Sequence, residues 1–388
     1  MNIIFYRYKS ICEPDFIDAF RKLGITVIED LDGIDRDLSI QEKTARLGTM
    51  IAEKLPMFVF SINFFPFVAN LCERLKIKYV AESVDCPVLE IFNKAVLSPY
   101  NRLFLFDRLQ RERIKDYNPG GIFYLPLGAA VERVSELLGD TGDYRYDVSF
   151  VGSLYNEKDP FLRLDLDDKE KGRFEAIMKS QMADTTFGLR VVEESLNDSD
   201  VEMIKAKDEG FYSSALSVEN IDRFVAINDY LSPHMAYLER VEILNRLAEK
   251  SGGRLHFFTQ SKTGDLSDKV NVHGGVNSLN EMPFVFRQSR INLNITMRSI
   301  QTGIPQRVWD VLSCGGFLIT NDQPEIHEYF EVGRDLEVYS CKEELIEKID
   351  YYLENEERRC QIAQNGYMKV KESHTVLNRV ISMIRYIQ

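Results

Sequence analysis

The residues best suited to hold a phosphate follow an apolar run late in the chain. Ile291–Ile295 reads as a buried strand, and it leads through Arg298 and Gly303 to Pro305. Pro305 predicts the start of a helix, because proline is favoured in the first helical turn. A helix N-terminus offers free N–H groups and a positive dipole end, and glycine permits close approach to the backbone. The segment therefore has the chemistry of a phosphate-binding loop.

The charged residues of the same segment suit a nucleotide. Arg298 and Arg307 place positive charge at either end of the loop, and Asp310 follows Arg307 by three residues on one helix face. A carboxylate there could accept two hydrogen bonds from a ribose diol while the arginine meets a diphosphate. The same residues are equally compatible with an ordinary βαβ packing unit that carries a surface ion pair.

The elements that must position this loop alternate along the chain. Strand patterns such as Asn2–Tyr6 and Met57–Ile62 alternate with amphipathic helices such as Ile40–Lys54. A second alternation begins at Tyr146–Val151 and resumes at Arg254–Thr259. Such alternation predicts parallel, doubly wound sheets, whose ligands lie beyond the carboxyl ends of the strands. The fold class expected is α/β, with two Rossmann-like domains facing a cleft.

The length also favours two domains, because 388 residues exceed one ordinary core. The N-terminal, acceptor-side domain is predicted to span residues 1–140 and the C-terminal domain 141–375. Residues from about 157 to 250 carry many charges and few strand signals, which predicts a helical insertion. A last helix, 376–388, is expected to return toward the N-terminal domain.

Composition excludes several classes of partner. The net charge of −13 disfavours binding to a polyphosphate backbone, so no nucleic-acid partner is expected. The uncharged run Leu55–Cys72 is interrupted by Pro66 and predicts a strand, a turn and a short helix, not a membrane span. Six scattered cysteines and no secretory leader favour a reducing cytoplasm. At most a peripheral membrane contact is expected.

Motifs for other chemistry are missing from the sequence. It has no GxGxxG after a strand, no P-loop, no GxSxG and no HExxH, and its five histidines lack metal-ligand spacing. Asp30-Leu31-Asp32 and Asp165-Leu166-Asp167 superficially resemble an Asp-x-Asp metal site, but each reads as a solvated loop. No metal site is therefore predicted.

Two groups of motifs resemble a known family, the GT-B glycosyltransferases of the group that includes the spore maturation protein CgeB. The C-terminal motifs that carry the resemblance are Gly303–Asp310, Cys314–Asn321, Ser149–Tyr155, His273–Val276 and Tyr351–Leu353. In the N-terminal half, Asn63–Pro66, Asp85–Pro87 and Tyr124–Gly128 are similar to the DUF3880-type domain usually placed ahead of it. The resemblance covers nearly the whole chain except the insertion.

The resemblance implies a role for particular residues. Asp310 matches the acid that holds the ribose, Gly152 and Ser153 match the glycine loop, and His273 begins the loop near the base. Glu325 falls in the acidic region that contacts the donor in related enzymes. The full set of donor-binding residues expected is Gly152, Ser153, His273, Gly275, Val276, Asn294, Arg298, Thr302, Gly303, Ile304, Pro305, Arg307, Asp310 and Glu325.

The catalytic base is expected in the N-terminal domain. Many retaining GT-B enzymes carry a glutamate eight residues before the ribose-binding acid, and here that residue is Thr302, so retention cannot be assumed. For an inverting transfer, Asp85 is the first candidate base and Glu82 the second, because both follow the predicted strand Lys78–Ala81. The alternative is that Asp85 only caps the helix that follows it.

The resemblance thus implies a glycosyltransferase that moves a sugar from a nucleoside-diphosphate donor, a UDP-sugar by preference, to an acceptor hydroxyl. No cofactor or metal is expected, because the helix dipole and arginines can stabilise the leaving diphosphate. The acceptor is left open between a glycan, a protein and a small molecule. The alternatives are a non-catalytic nucleotide-sugar-binding module and a two-lobed nucleotide-sugar epimerase.

Overall fold

The chain folds into two compact α/β units in a computed structural model that describes residues 1–184 and 186–387. The N-terminal unit comprises residues 1–130, 215–219 and 373–388, and the C-terminal unit comprises residues 131–214 and 220–372. The last helix therefore belongs to the N-terminal unit, as the sequence predicts. The segment 215–219, within the predicted insertion, also belongs to the N-terminal unit.

Twelve strands and sixteen α-helices make up the regular structure of the described residues. The strands are β1 Asn2–Tyr6, β2 Thr26–Asp30, β3 Phe58–Ile62, β4 Lys78–Ser83, β5 Asn101–Leu105, β6 Ile122–Tyr124, β7 Tyr146–Val151, β8 Leu255–Phe258, β9 Asn271–His273, β10 Ser289–Leu293, β11 Leu318–Asn321 and β12 Glu337–Tyr339. The helices are α1 Glu13–Lys22, α2 Ile40–Lys54, α3 Pro66–Leu75, α4 Arg108–Ile114, α5 Val131–Leu138, α6 Asp168–Ala183, α7 Arg190–Ser195, α8 Asp198–Lys207, α9 Asp222–Val225, α10 Ser232–Ser251, α11 Met282–Arg287, α12 Gln306–Ser313, α13 Ile326–Tyr329, α14 Lys342–Glu354, α15 Glu356–Ser373 and α16 Val376–Ile387. Short 3₁₀ turns include Leu89–Phe92, Lys94–Leu97 and Ser214–Leu216, and Ala226–Leu231 is a π-helix.

Local sequence signals fix several of these boundaries. The Ser39 hydroxyl accepts from the backbone N–H of Glu42, and the Glu42 carboxylate accepts from the backbone N–H of Ser39. This capping box starts α2 at the residue predicted. Gly24 follows α1 with a φ of +74°, a conformation that glycine adopts at no steric cost.

Each unit contains one six-stranded parallel sheet. The strand order is β2-β1-β3-β4-β5-β6 in the N-terminal unit and β12-β11-β10-β7-β8-β9 in the C-terminal unit. In each sheet, successive strands are added outward in one direction and then in the opposite direction. The strand order changes direction between β1 and β3 in the first sheet and between β7 and β10 in the second. At such a switch point the two connections leave on opposite faces, which opens a crevice at the carboxyl ends of the strands.

Aromatic residues fill the core of the N-terminal unit. Phe60 of β3 lies 4.9 Å from Phe5, 5.6 Å from Phe16 and 5.0 Å from Phe20, measured between ring centroids. Helices α1 and α16 both contribute to this cluster, in which Val380 is completely buried. Burial of apolar side chains on one face of the sheet thus holds the terminal helix in place.

The predicted insertion is helical, but its final helix is part of the C-terminal core. Ile243, Leu244 and Leu247 of α10 pack with β7 and β8 in one buried cluster. A carboxylate–imidazole contact of 2.7 Å between Asp159 and His234 joins the start of the insertion to α10. The interpretation of Asp30 as part of a solvated loop is wrong, because it ends β2 with 1 % exposure.

Candidate functional site

The switch point of the C-terminal sheet is built on the loops that follow β7 and β10. Gly152 follows β7 directly, and its N–H donates to the carbonyl of Phe258 at 3.1 Å. The Ser153 hydroxyl donates to Glu157 Oε2 at 2.7 Å and accepts from the N–H of Tyr155 at 2.6 Å. The loop is therefore held in one conformation by its own polar side chains.

Buried amides hold the loop after β10. Asn294 Nδ2 donates to the hydroxyl of Thr296 at 2.9 Å and to that of Thr320 at 2.8 Å. Gln323 is fully buried, and its Nε2 donates to the carbonyl of Gly303 at 2.8 Å. Asn294 thus uses its amide donors within the protein, and its contribution is to position the loop.

The predicted helix after Gly303 is present as α12. Pro305 is its N-cap residue, with φ −67° and ψ 155°, and its ring is buried beside Ile304. Trp309 is fully buried, and its indole N–H donates to the carbonyl of Ile304 at 3.4 Å. This bond ties the middle of α12 back to the loop that precedes it.

Arg307 and Asp310 lie together on α12, as their spacing predicts. One Arg307 Nη lies 3.6 Å from Asp310 Oδ2, and Gln306 Nε2 donates to Asp310 Oδ1 at 3.0 Å. The side chains of Arg307 and Asp310 are 25 % and 20 % exposed, so both can be reached by a ligand. The Arg307 guanidinium also lies 5.1 Å from the centre of the Phe286 ring.

A second arginine, Arg240 on α10, lies at the same switch point. Its guanidinium donates to the carbonyls of Ser153 and Ile295, which follow β7 and β10. It also lies 4.5 Å from the centre of the Tyr155 ring. Burial lowers the pKa of Arg307, Asp310 raises it, and the charge of Arg240 lowers it further. Two arginines and one accessible carboxylate therefore share this end of the sheet.

Arg240 is the main site residue that the sequence analysis missed. It lies in a helix that reads as part of a charged insertion, and nothing local distinguishes it from a solvated arginine. Only the packing of α10 against the sheet brings it to the loops of β7 and β10.

Arg298 has a different environment from the one expected. It is 7 % exposed, and its Nη2 lies 3.0 Å from Glu239 Oε1 of α10. It lines a cavity of about 280 Å³ that also includes Phe187, Arg246 and Lys342. Because a buried carboxylate compensates its charge, Arg298 contributes less free positive charge to a phosphate than Arg307 does.

The remaining predicted donor residues lie at the carboxyl ends of β9 and β11. The Glu325 N–H donates to the Thr302 carbonyl at 3.3 Å, and Glu325 is 1 % exposed. His273 stacks on Phe258 with ring centroids 4.4 Å apart, and burial lowers its pKa, which favours a neutral imidazole. A Cβ on Gly275 would lie 2.4 Å from the Gln260 side chain, so a larger residue there would displace that side chain. Val276 follows and is half-buried.

The two predicted bases in the N-terminal unit differ in access. Asp85 is exposed, and its Oδ2 accepts from Asn63 Nδ2 at 2.7 Å. The same amide nitrogen donates to the Tyr8 hydroxyl at 2.9 Å. Glu82 is fully buried on β4, where loss of solvation raises its pKa well above the ordinary value although Arg379 opposes the shift. Of the two acids, only Asp85 can meet a ligand without rearrangement.

The alternative that Asp85 caps the next helix is wrong. The next helical turn, Leu89–Phe92, has Val88 as its N-cap residue and no side-chain cap. Asp85 instead ends the segment after β4, where its side chain is oriented by Asn63.

Residues 1–184 and 186–387 hold neither a metal-binding cluster nor a membrane-spanning helix. They contain no group of three or more histidine, cysteine, aspartate or glutamate side chains placed to hold a metal ion. Within the same residues, no helix has the length and apolar character needed to cross a membrane.

Comparisons with known proteins concern the family of residues 240–385 and the fold of the chain. Residues 240–385 match the family described as "Glycosyl transferase-like". No curated protein matches the chain. Among solved structures, the chain is similar to a glycosyltransferase from Rickettsia africae, at 11 % identity and a TM-score of 0.50 over 99 % of this chain and 97 % of that one. It is also similar to Anabaena HepE in complex with UDP and glucose, at 10 % identity and a TM-score of 0.52 over 99 % of both chains.

A sucrose-phosphate synthase from Thermosynechococcus elongatus is similar as well, at 9 % identity and a TM-score of 0.52 over 99 % of this chain and 98 % of that one. These likenesses show that the fold is GT-B, and the predicted fold class is confirmed. With the matched family segment, which contains Arg240, Arg307 and Asp310, the predicted enzyme class is confirmed too. The protein is a glycosyltransferase.

Proposed function

We propose that this glycosyltransferase moves a sugar from a UDP-sugar to the hydroxyl of an acceptor. The observation that supports it most is the group formed by Arg240, Arg307 and Asp310 at the C-terminal switch point. The HepE structures, which have the same fold, are complexes with UDP, with UDP and glucose, and with UDP-glucose.

In this proposal each member of the group has a separate task. The N–H groups that open α12 and the Arg307 guanidinium meet the diphosphate, because both present hydrogen-bond donors and positive charge. Asp310, one helical turn further on, accepts two hydrogen bonds from the ribose diol. Arg240 holds the loops of β7 and β10 together and adds positive charge. The loop from His273 to Val276 lies toward the base.

The reaction is proposed to be an inverting displacement with Asp85 as the general base. Asp85 accepts the proton of the acceptor hydroxyl as the hydroxyl oxygen attacks the anomeric carbon and the bond to the diphosphate breaks. The hydrogen bond from Asn63 keeps the second carboxylate oxygen oriented. The arginines and the helix dipole stabilise the leaving diphosphate, so a metal ion is not required for this step. Turnover that survives a chelator would support that part.

Three finer assignments accompany this proposal. The motifs Gly303–Asp310 and Cys314–Asn321 support placing the chain in the CgeB-like group, with a DUF3880-type N-terminal domain. None of the six cysteines, all within the described residues, forms a disulfide, which supports work in a reducing compartment such as the cytoplasm. The acidic composition supports a partner other than nucleic acid.

A panel of nucleotides tests the donor site directly. We expect UDP at about one hundred times its Kd to stabilise the protein by about 2–3 kcal/mol, and GDP, TDP and CDP to stabilise it less. The measurement is the shift in Tm for each nucleotide. If none of the four moves the Tm, the donor site is not where we propose.

Two product assays separate the alternatives. Release of free sugar from a UDP-sugar without acceptor would show an enzyme, not a binding module. An interconverted nucleotide sugar, visible by NMR, would instead indicate an epimerase.

A further inference from the structure

A large pocket lies at the switch point of the N-terminal sheet, where the loops after β1 and β3 diverge. Its volume is about 790 Å³, which is in the range of sites for small organic ligands. The residues that line it are Tyr6, Tyr8, Gly33, Ile40, Lys43, Phe65, Pro66, Phe67, Asn70, Asn93, Lys94, Ala95 and Leu216. All of them belong to the N-terminal unit.

Aromatic rings form one wall of the pocket. The Phe65 ring lies 5.1 Å from Tyr6 and 5.3 Å from Tyr8, and Phe67 lies 5.5 Å from Tyr6, each pair edge to face. Rings packed against one another in this way cannot rotate freely, so they present fixed faces and edges to a ligand. Gly33 packs directly against this wall, because a Cβ there would lie 2.4 Å from the Arg7 carbonyl oxygen and 2.7 Å from the Tyr6 ring. The wall suits a flat apolar ring system.

Two lysines give the pocket a positive rim. Lys43 of α2 and Lys94 both line it, and among the described residues neither has an ion-pair partner. Lys43 is near enough to Asp30 to oppose the rise in the pKa of that carboxyl, but no ion pair joins the two side chains. An ammonium group beside an apolar wall that is not engaged in an ion pair favours an anionic group on the ligand.

The segment 215–219 supplies one further apolar lining residue, Leu216. Leu216 is 67 % exposed although it lies on the pocket. The backbone on either side is fixed, because the Val218 N–H donates to the Phe92 carbonyl at 2.8 Å and Ser217 pairs with Asn93 in an isolated β-bridge. A large apolar side chain held in this exposed position is a surface that a bound ligand would cover.

The pocket is connected to the proposed base by hydrogen bonds. Tyr8 lines the pocket, and its hydroxyl accepts from Asn63 Nδ2, which also donates to Asp85. Burial raises the pKa of the Tyr8 hydroxyl, so Tyr8 stays neutral at physiological pH. A ligand lying against Tyr8 therefore lies one amide group away from the carboxylate of Asp85.

We infer that this pocket holds the acceptor, and that the acceptor is a small molecule with a flat apolar ring system, a hydroxyl and a carboxylate. The rings of Phe65 and Phe67 contact the ring system, with the Tyr6 ring, 2 % exposed, packed behind them, and Lys43 and Lys94 meet the carboxylate. Leu216 covers the ring system and determines which ring systems fit. The inference rests on the proposed function, because it assigns the acceptor of that reaction.

Calorimetry without any donor tests the ligand class, with hydroxynaphthoate, naphthol and cellobiose as probes. We expect hydroxynaphthoate to bind at least about tenfold more tightly than naphthol, because hydrogen bonds to charged groups are the stronger ones, and cellobiose to show no saturable binding. Equal affinity for the two aromatic probes would overturn the role of the lysines. Tighter binding of cellobiose would overturn the inference as a whole.

Variants locate the binding in this pocket. The double variant Lys43→Met, Lys94→Met is expected to lose the preference for hydroxynaphthoate, a drop of about tenfold in its affinity. Lys54→Met, on the same helix but away from the pocket, is the matched control and should retain it. Leu216→Asp is expected to lower the affinity for both hydroxynaphthoate and naphthol by at least about tenfold, because it replaces an apolar contact with a charge. Unchanged affinity in either variant places the binding elsewhere.

The same protein samples distinguish this inference from the proposed function. If UDP binds and hydroxynaphthoate does not, the acceptor assignment fails while the donor site stands. If hydroxynaphthoate binds but neither UDP nor any other nucleotide does, the pocket is a ligand site but not an acceptor site, and both proposals fall. Transfer of sugar from a UDP-sugar to the naphthol oxygen of hydroxynaphthoate, lost in Leu216→Asp, would support both.

Discussion

The two switch points occupy the same topological position in two parallel sheets, yet their side chains are of opposite kinds. Between β7 and β10 the ligand-facing residues are charged, with Arg240, Arg307 and Asp310 set among hydrogen-bonded loops. Between β1 and β3 they are aromatic and apolar, with Tyr6 and Phe65 at their centre. The backbone arrangement creates a crevice in both, and the side chains decide what it binds.

The comparison also separates two ways of holding a loop. The loops of the C-terminal switch point are held by buried amides such as Asn294 and Gln323, which suits a site that must keep N–H groups and charges in fixed directions. The loops of the N-terminal switch point are held by ring packing, which presents fixed apolar faces and edges. The first arrangement suits a defined donor and the second a particular acceptor shape.

The largest effect that would test the comparison is expected at the proposed base. Asp85→Asn should lower kcat by about 10²–10⁴-fold, because the amide cannot accept the acceptor proton. UDP affinity should stay unchanged, since the substitution leaves the C-terminal switch point intact. Steady-state kinetics measure kcat and calorimetry measures the affinity for UDP. The matched control is Glu90→Gln, a substitution of an exposed acid. Undiminished turnover would remove Asp85 from the reaction.

The next effect belongs to the donor side. Asp310→Ala should weaken UDP binding by about tenfold to a hundredfold, because hydrogen bonds to a charged group contribute about 1.5–3 kcal/mol each. Calorimetry with UDP measures it, and Asp350→Ala, an exposed acid on α14, is the control. The affinity of hydroxynaphthoate should not move. A loss of both affinities in Asp310→Ala would mean that the two switch points do not act as separate sites.

A smaller effect is expected at the residue that orients the base. Asn63→Gly removes the amide that holds Asp85 and Tyr8, while glycine accepts the φ of 58° that Asn63 adopts. We expect kcat to fall about tenfold, with UDP affinity unchanged, since one orienting hydrogen bond contributes about 1 kcal/mol. A change in KM for the acceptor without a change in kcat would show that Asn63 serves binding only.

The smallest effect concerns the buried acid next to the proposed base. Folding raises the pKa of Glu82. The unfolded chain therefore releases this proton at a lower pH than the folded chain does. As a result, the free energy of unfolding falls as the pH rises from the ordinary pKa of 4.5 through the folded-state pKa. Glu82→Met should therefore increase the free energy of unfolding by about 1 kcal/mol at pH 8 and by less at pH 5. Urea denaturation at both values measures the difference. An equal change at both would show that Glu82 does not titrate in this range.

The fold could be predicted from the sequence because its signals are local. Strands β1 and β7 and helix α2 have the predicted bounds, since alternation, capping and glycine stops lie within each segment. The pairing of Arg307 with Asp310 was also local, three residues apart on one helix. Such contacts follow from helix geometry alone.

The parts of the site that could not be predicted depend on contacts distant in sequence. Arg240 reaches Ser153 across 87 residues, and Arg298 is paired with Glu239 across 59, which no local pattern indicates. The role of Leu216 has the same cause, because an exposed leucine within the predicted insertion gives no sign that it lines a pocket with residues more than a hundred positions earlier in the chain. The roles proposed for Asp85, His273 and Glu325 stay predictions until the variants are measured.

Trp309 provides an intrinsic fluorescent probe in this protein. It is the single tryptophan of the chain, it is fully buried, and its indole donates to the Ile304 carbonyl at the entrance of α12. Its neighbour in sequence is Asp310, so a change at the nucleotide loop alters the surroundings of this one fluorophore. Emission excited at the indole band therefore comes from the C-terminal unit alone, without a label and without interference from Tyr6 and Tyr8 of the N-terminal pocket.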